Sequence, residues 1–413
     1  MAEPQTERLH ALDAVRGLAL IAGIVFHATA SFLPRPGGVP VWVVSDNHPS
    51  LALGLVFHVL HIFRMATFFL IAGFFAHMSF HKRGAAGFIR ERAKRIALPL
   101  LVGWPLVFAA IAAVVIWAAI AGAHGRPLPP PPKYPGLPTF PLTHLWFLYV
   151  LLWLYAVTLG ARAIAVRLDR GGALLRLADR LTAWLAQSSA GLLVLALPTT
   201  AALLATPVWA PWFGIPTPDS SLVPNLAASA AFFSAFAFGW MLHRQTGLLA
   251  AWRRRWPLNL ALALAFTAIE LAINGVAPSI ATPAMGWTKL ALAVTYPLAT
   301  WAWTFAAIGL ALRFLSGHSP ARRYVADASY WLYLIHLPIV LALQVAVSQL
   351  DWPWAAKLAL ILGVAFPLML ASYQLLVRHS FIGAILNGPR ESRRDRAHAT
   401  PAPSTANAEP TAT

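Results

Sequence analysis

Long apolar runs, separated by short polar or proline-rich gaps, set the pattern of this chain. Ten runs are long enough to cross a bilayer as a helix, which takes about 20 residues at 1.5 Å each. They fall at about 13–33, 51–79, 96–121, 143–165, 190–208, 225–242, 257–277, 289–312, 325–348 and 356–377. The gaps are rich in turn formers. Segment 127–141 includes the four consecutive prolines 129–132, and 207–224 is again proline-rich, so neither reads as a soluble domain. The pattern predicts an all-α, polytopic integral membrane protein of about ten transmembrane helices. One membrane domain is expected over 1–380. A tail over 381–413 is charged, then rich in Ala, Pro and Thr, and is expected to be disordered. No inverted repeat of the transporter kind is visible. Arg16, an apolar run and then Ala28, Thr29 and Ala30 imitate a signal peptide with a small-x-small cleavage site. The run continues to Leu33, however, and Asp13 sits at its inner end, so the first helix is expected to be retained.

Composition agrees with this pattern. Of 413 residues, 59 % are apolar and 11 % charged, where a soluble domain carries about 25 % charge. Cysteine is absent, which excludes disulfide frameworks, zinc-thiolate and iron–sulfur sites, and a cysteine nucleophile. The net charge of +17 would suggest a nucleic-acid partner if the basic residues shared one face. They do not. With the N-terminus in the cytoplasm, 25 of the 31 Lys and Arg fall in inner segments and five in outer loops, with Arg64 inside the membrane. This asymmetry follows the positive-inside rule and predicts both termini in the cytoplasm, with no nucleic acid among the partners.

Ionisable side chains inside a span are costly and are candidates for function. The first helix carries Asp13, Arg16 and His27. At 100° per residue Arg16 and His27 lie about 20° apart and about 16 Å along the axis, with Asp13 within about 40° of His27. One stripe thus runs from a cytoplasmic Asp/Arg pair to a histidine in the outer half. Taken singly, each has a structural reading: interfacial anchoring for Asp13 and Arg16, a core histidine bonded to a carbonyl for His27. The second helix carries His58, His61 and Arg64, with His61 and Arg64 on nearly one face. Arg64 lies near the bilayer centre and needs a carboxylate, a carbonyl cluster or a water-filled cavity. Glu270 is the only carboxylate clearly inside a span, and its depth makes it the expected counter-ion for Arg64 or an orienter for a histidine. His144, at the outer end of the fourth helix, and His336, in the ninth, bring further imidazoles to a similar level. Histidine serves as a general base near neutral pH, with a carboxylate to fix its tautomer. Zinc competes for a set of histidines, but no His-Glu-x-x-His pattern occurs, so no metal is expected.

The cytoplasmic loop 82–95 holds six basic residues in fourteen, including Arg92 and Arg95. It reads either as positive-inside bias against lipid headgroups or as an anion site for a phosphorylated cytoplasmic ligand. No Walker loop and no GxGxxG occurs, which argues against a nucleoside triphosphatase or a Rossmann oxidoreductase.

Five motifs in order resemble one family. Arg16 and His27, with ten residues between them in the run that begins Leu12, Asp13, Ala14, Val15, Arg16, Gly17, look like the opening of the acyltransferase 3 family of integral membrane acyltransferases. Four further segments are similar to its branch containing glucan biosynthesis protein C, a glucan succinyltransferase. These run from His61 to Phe75, from Arg92 to Pro99, from His144 to Leu148 and from Ala328 to Pro338. The middle of the chain, 160–320, matches only in hydropathy, so Glu270 rests on its position alone.

The resemblance implies transfer of an acyl group from cytoplasmic acyl-CoA, such as succinyl-CoA or acetyl-CoA, to a hydroxyl of an extracytoplasmic glucan or other saccharide, in a bacterial inner membrane. It carries over Arg16, His27, His61, Arg64, Arg92, Arg95, His144 and His336. On this expectation Arg92, Arg95 and Arg16 hold the CoA phosphates, and the pantetheine arm passes between helices to His27. His27 deprotonates the hydroxyl, and Arg64 or a neutral His61 stabilises the oxyanion or binds a dicarboxylic acyl group. No extracytoplasmic hydrolase-like domain is visible after the last helix, so the membrane domain itself is expected to handle the acceptor. The alternative is a transporter or flippase for an anionic solute, built on an intramembrane Arg64/Glu270 pair.

Overall fold

Side-chain caps and prolines punctuate the chain into helices. Ser50 accepts from the Leu53 amide to start α2, and Asn225 from the Ala228 amide to start α7. Ser319 with Pro320 starts α10, and Ser380 starts α12; each cap satisfies an amide that the first helical turn leaves free. The computed structural model describes residues 3–123 and 139–388. Among them run α1 (Glu3–Thr29), α2 (Leu51–Arg92), α3 (Leu98–Ala123), α4 (Trp146–Leu168), α5 (Ala173–Gln187) and α6 (Gly191–Ala205). Then follow α7 (Leu226–Leu242), α8 (Leu249–Asn274), α9 (Trp287–Phe314), α10 (Pro320–Val347), α11 (Trp354–Ser372) and α12 (Phe381–Asn387). The described residues contain helices and no strand.

Seven stretches are long and apolar enough to cross a membrane, or eight if the pair α5 and α6, bent by 103°, is one span. The chain is therefore a multi-pass, all-helical membrane protein. Three segments differ from the reading of the sequence. Segment 82–95, expected as a loop, is helical on both sides of Gly84, whose φ of 66° breaks α2, and it passes into a π-helical turn at Ala93–Ala97. The fifth expected span, 190–208, is the 15-residue α6 entered through a sharp bend from amphipathic α5. At the C-terminal end, α12 falls just after the boundary drawn at 380, with Leu386 buried. The four prolines 129–132, Arg126, Lys133 and the tail from 389 lie outside the described residues.

Small residues and hydroxyls knit the bundle. Helices α8 and α9 pack most extensively, followed by α2 with α7 and α1 with α10. Gly73 and Gly239 face each other's helix so closely that a Cβ at either would collide with a main-chain oxygen, that of Phe236 or Leu70. Such backbone approach is the membrane alternative to hydrophobic driving force. Across α2 and α9, Thr300 donates to the Ile62 carbonyl at 2.9 Å and Thr67 to Thr304 at 3.2 Å. On α8, Thr267 accepts from the Trp303 indole at 3.0 Å. Residues 33–50 are strapped over one end of the bundle. Lys357, fully buried, donates to Asp46 at 2.8 Å and also bonds Asn47, while the Asn47 amide reaches the Ser348 carbonyl.

Because the collision at Gly239 is with backbone, a Gly239→Ala exchange has nowhere to relax. It should destabilise the bundle by about 1–3 kcal/mol through overpacking, seen as a lower unfolding temperature in detergent. An unchanged transition would mean that α2 and α7 do not touch at this point.

Candidate active site

Two cavities meet inside the bundle. The outer one, about 1010 Å³, is lined by His27, Trp42, His61, Arg64 and His144 together with apolar side chains of α3 and of 207–220. The inner one, about 330 Å³, is lined by Arg16, Gly23, His27, Arg64, Arg92, Arg95, His144, Tyr330, Tyr333 and His336. His27, Arg64 and His144 belong to both, so they form the junction.

Helix α1 contributes the stripe foreseen from spacing. Arg16 lies on the inner cavity and His27 at the junction. Asp13 lies on neither cavity but pairs with Arg16 at 3.3 Å, both about 40 % exposed. Gly23, one turn before His27, makes room for Arg64: a Cβ there would stand 2.8 Å from an Arg64 guanidinium nitrogen. Arg64 is 8 % exposed and lies 4.3 Å over the Phe26 ring, a cation–π contact. Phe26 stacks on Phe57 at 4.1 Å, and Phe57 on Trp212 at 6.1 Å, so an aromatic column backs the arginine. His58 sits behind this column, donating from Nδ1 to the Trp212 carbonyl at 2.9 Å.

Glu270 does not join this site. It is fully buried on α8, lines neither cavity, and neither carboxylate oxygen has a hydrogen-bond partner. No ion pair among the described residues involves Arg64 or Glu270. The expected Arg64/Glu270 pair is thus not formed, and the transporter reading built on it loses its binding site. Glu270 lies near Tyr296 of α9, whereas Arg64 reaches from α2 to Gly23 of α1.

Main-chain carbonyls hold His144 and His336. Thr143, just before His144, has φ of 53°, a strained conformation for a β-branched residue. His144 Nε2 donates toward the Tyr333 and Leu334 carbonyls at 3.1 and 3.2 Å, while the Tyr333 hydroxyl returns to the His144 carbonyl at 2.7 Å. His336 Nδ1 donates to the Tyr333 carbonyl at 2.8 Å. At the mouth of the inner cavity, Glu91 gathers Arg95 at 2.9 Å, Arg83 at 3.3 Å and Arg92 at 3.5 Å. The Arg92 guanidinium lies over Phe88 and Tyr155 at 5.0 and 5.4 Å. Three guanidinium groups around one carboxylate leave a net positive mouth suited to phosphate. No cluster of three or more His, Cys, Asp or Glu among the described residues is placed to hold a metal ion.

Two residues not singled out from the sequence hold His27. Trp42 stacks on its ring at 5.6 Å and donates to Gln344 at 3.0 Å. Gln344 donates in turn to the His27 and Ala28 carbonyls at 2.8 and 3.1 Å. A glutamine within an apolar run is visible in the sequence, but it carries no charge to set it apart.

The multi-pass helical bundle thus brings a histidine and an arginine to the place where two cavities meet. A family model described as an acyltransferase domain matches residues 9–373, and the chain belongs to that acyltransferase 3 family. Among its relatives are proteins named Glucans biosynthesis protein C from Salmonella paratyphi B and Salmonella heidelberg. Each is 29 % identical over 160 residues, 39 % of this chain. The match spans 40 % of the length of each relative. No solved structure matches the chain.

Gly23 yields a direct check. The atom a Cβ would meet is the end of a flexible side chain, so Gly23→Ala should fold with an unchanged unfolding temperature while displacing the Arg64 head. Acyl transfer should fall about tenfold or more, about 1.4 kcal/mol of barrier. A fully active Gly23→Ala would show that the position of Arg64 against α1 is immaterial.

Proposed function

We propose that the chain moves a short acyl group from cytoplasmic acyl-CoA to a hydroxyl of an extracytoplasmic saccharide. The observation that carries this is the meeting of a small inner and a large outer cavity at His27 and Arg64. The inner cavity, about 330 Å³, suits a narrow arm, and basic Arg16, Arg92 and Arg95 line it. The span of about 16 Å from Arg16 to His27 is of the order of a pantetheine arm. The outer cavity, about 1010 Å³ with Trp42 in its wall, has room for a sugar unit. The relatives' name, which speaks of glucans, favours a glucan-type acceptor. The proposed topology has ten crossings, obtained by dividing the two longest apolar stretches, Leu51–Ala123 and Leu226–Asn274, at their breaks and counting the bent pair once. Both termini face the cytoplasm of a bacterial inner membrane, as the distribution of Lys and Arg favours.

In this reaction His27 Nε2 takes the proton of the acceptor hydroxyl as its oxygen attacks the thioester carbon. Arg64, with His61 beside it, faces the oxyanion that forms. Collapse breaks the carbon–sulfur bond, and the proton leaves with the thiolate as CoA thiol. The products are an ester and free CoA. A dicarboxylic acyl group such as succinyl would place its own carboxylate near Arg64, which has no carboxylate partner among the described residues.

Purified protein in detergent, given acetyl-CoA or succinyl-CoA with and without a glucan, should release thiol. His27→Ala should lower release by at least about 100-fold, the usual worth of a general base. Arg92→Ala and Arg95→Ala should raise KM for the thioester more than they lower kcat. Wild-type rates from His27→Ala would remove the base from this scheme.

A further inference from the structure

Among the buried ring nitrogens that carry no hydrogen bond are His27 Nδ1, His144 Nδ1 and His336 Nε2, with His61 Nδ1 nearby. Their partner nitrogens explain two of them. A carbonyl oxygen can only accept, so His336 Nδ1 and His144 Nε2, each facing the Tyr333 carbonyl, bear the protons. In the neutral rings, His336 Nε2 and His144 Nδ1 are therefore lone-pair nitrogens. The rings in contact with His27 are Phe26, Trp42 and His336, and only His336 among these has a lone pair to offer. The His27 and His336 ring centres are 5.2 Å apart at 42°. Two imidazoles joined through one N–H···N bond have their ring centres about 5 Å apart, so this separation suits such a bond once a turn of the His27 ring aims its Nδ1 at His336 Nε2.

We propose that His336 is the positioning residue of His27, its Nε2 accepting the His27 Nδ1–H. This inference rests on the reading of His27 as general base. The Tyr333 carbonyl orients His336, and His336 orients His27, leaving the His27 Nε2 lone pair on the cavities where the acceptor hydroxyl arrives. When His27 becomes an imidazolium, His336 stabilises it by accepting the Nδ1 proton's hydrogen bond, with no proton passing along the chain. The arrangement does the work of the carboxylate in a Ser-His-Asp triad, without a buried negative charge. The groups facing His27 fit this role. From α2 come Arg64 and His61, from the segment before α4 His144, and from α10 His336; no carboxylate is among them.

The test compares wild type with His336→Phe, His336→Gln and His27→Ala. Glutamine has an amide that can donate to the Tyr333 carbonyl and an oxygen that can accept from His27. His336→Phe should lower kcat about 100-fold, with KM for thioester and acceptor within about twofold. His336→Gln should recover all but about tenfold of the wild-type kcat. Nitrogen-15 spectra of histidine-labelled wild type in lipid nanodiscs should show His27 protonated on Nδ1. Wild-type kcat in a folded His336→Phe, a glutamine variant as poor as the phenylalanine one, or His27 protonated on Nε2 would each overturn the proposal. Wild-type turnover by His27→Ala would instead overturn the general-base reading, so the two failures are distinct.

Discussion

The guanidinium of Arg64 is the constraint around which the bundle is arranged. A charge at membrane depth is tolerated only beside an opposite charge, a carbonyl cluster or water. Among the described residues no carboxylate lies within ion-pair distance of Arg64. Its shelter is the Phe26 face on one side and the space left by Gly23 on another, and the rest of the head opens on two cavities. Keeping this charge solvated requires the helices to part around it. That gap is what brings His27 within reach from both the inner and the outer side. Solvation of one arginine and access to one histidine are the same structural feature.

Around that gap, neutral acceptors replace carboxylates. The chain has 14 Asp and Glu, and the carboxylate fully buried at this depth, Glu270, faces away from the junction. His144 and His336 both donate to the Tyr333 carbonyl, His58 to the Trp212 carbonyl, and Gln344 to those of His27 and Ala28. A carbonyl fixes a tautomer as a carboxylate does but carries no charge to desolvate. Helix α10 supplies Tyr333, His336 and Gln344, so its register against α1 sets the orientation of three polar contacts at once.

Charges inside apolar runs stand out in a sequence, which is why the Arg16–His27 stripe, His61 with Arg64, and the later His144 and His336 were all legible there. Helical periodicity relates residues on one helix, and within α1 it placed Arg16 and His27 on one wall. It says nothing about how one helix is rotated against another. The Arg64/Glu270 pairing failed for that reason: equal depth is not a shared face. Trp42 and Gln344 were missed because they are uncharged and 302 residues apart, and Gly23 because its meaning lies in a neighbour's side chain. The break at Gly84 and the bend between α5 and α6 were hidden because hydropathy measures the length of a run, not its direction.

The unequal cavities also bear on how such a site coexists with a sealed membrane. A passage open to both faces invites leakage of protons and cations. A fixed positive charge where the two cavities meet opposes both, as an arginine does in a water-selective pore. Arg64 stands where the cavities join, with His27 and His144 beside it and no carboxylate of the described residues within ion-pair distance to attract cations. Anionic groups are drawn to the same point, and both a forming oxyanion and the carboxylate of a dicarboxylic acyl chain are anionic. On the proposed function, one arginine without a carboxylate partner among the described residues thus reconciles two demands that otherwise conflict: admitting an acyl group from one face and its acceptor from the other, while opposing passage of the ions that the membrane exists to hold apart.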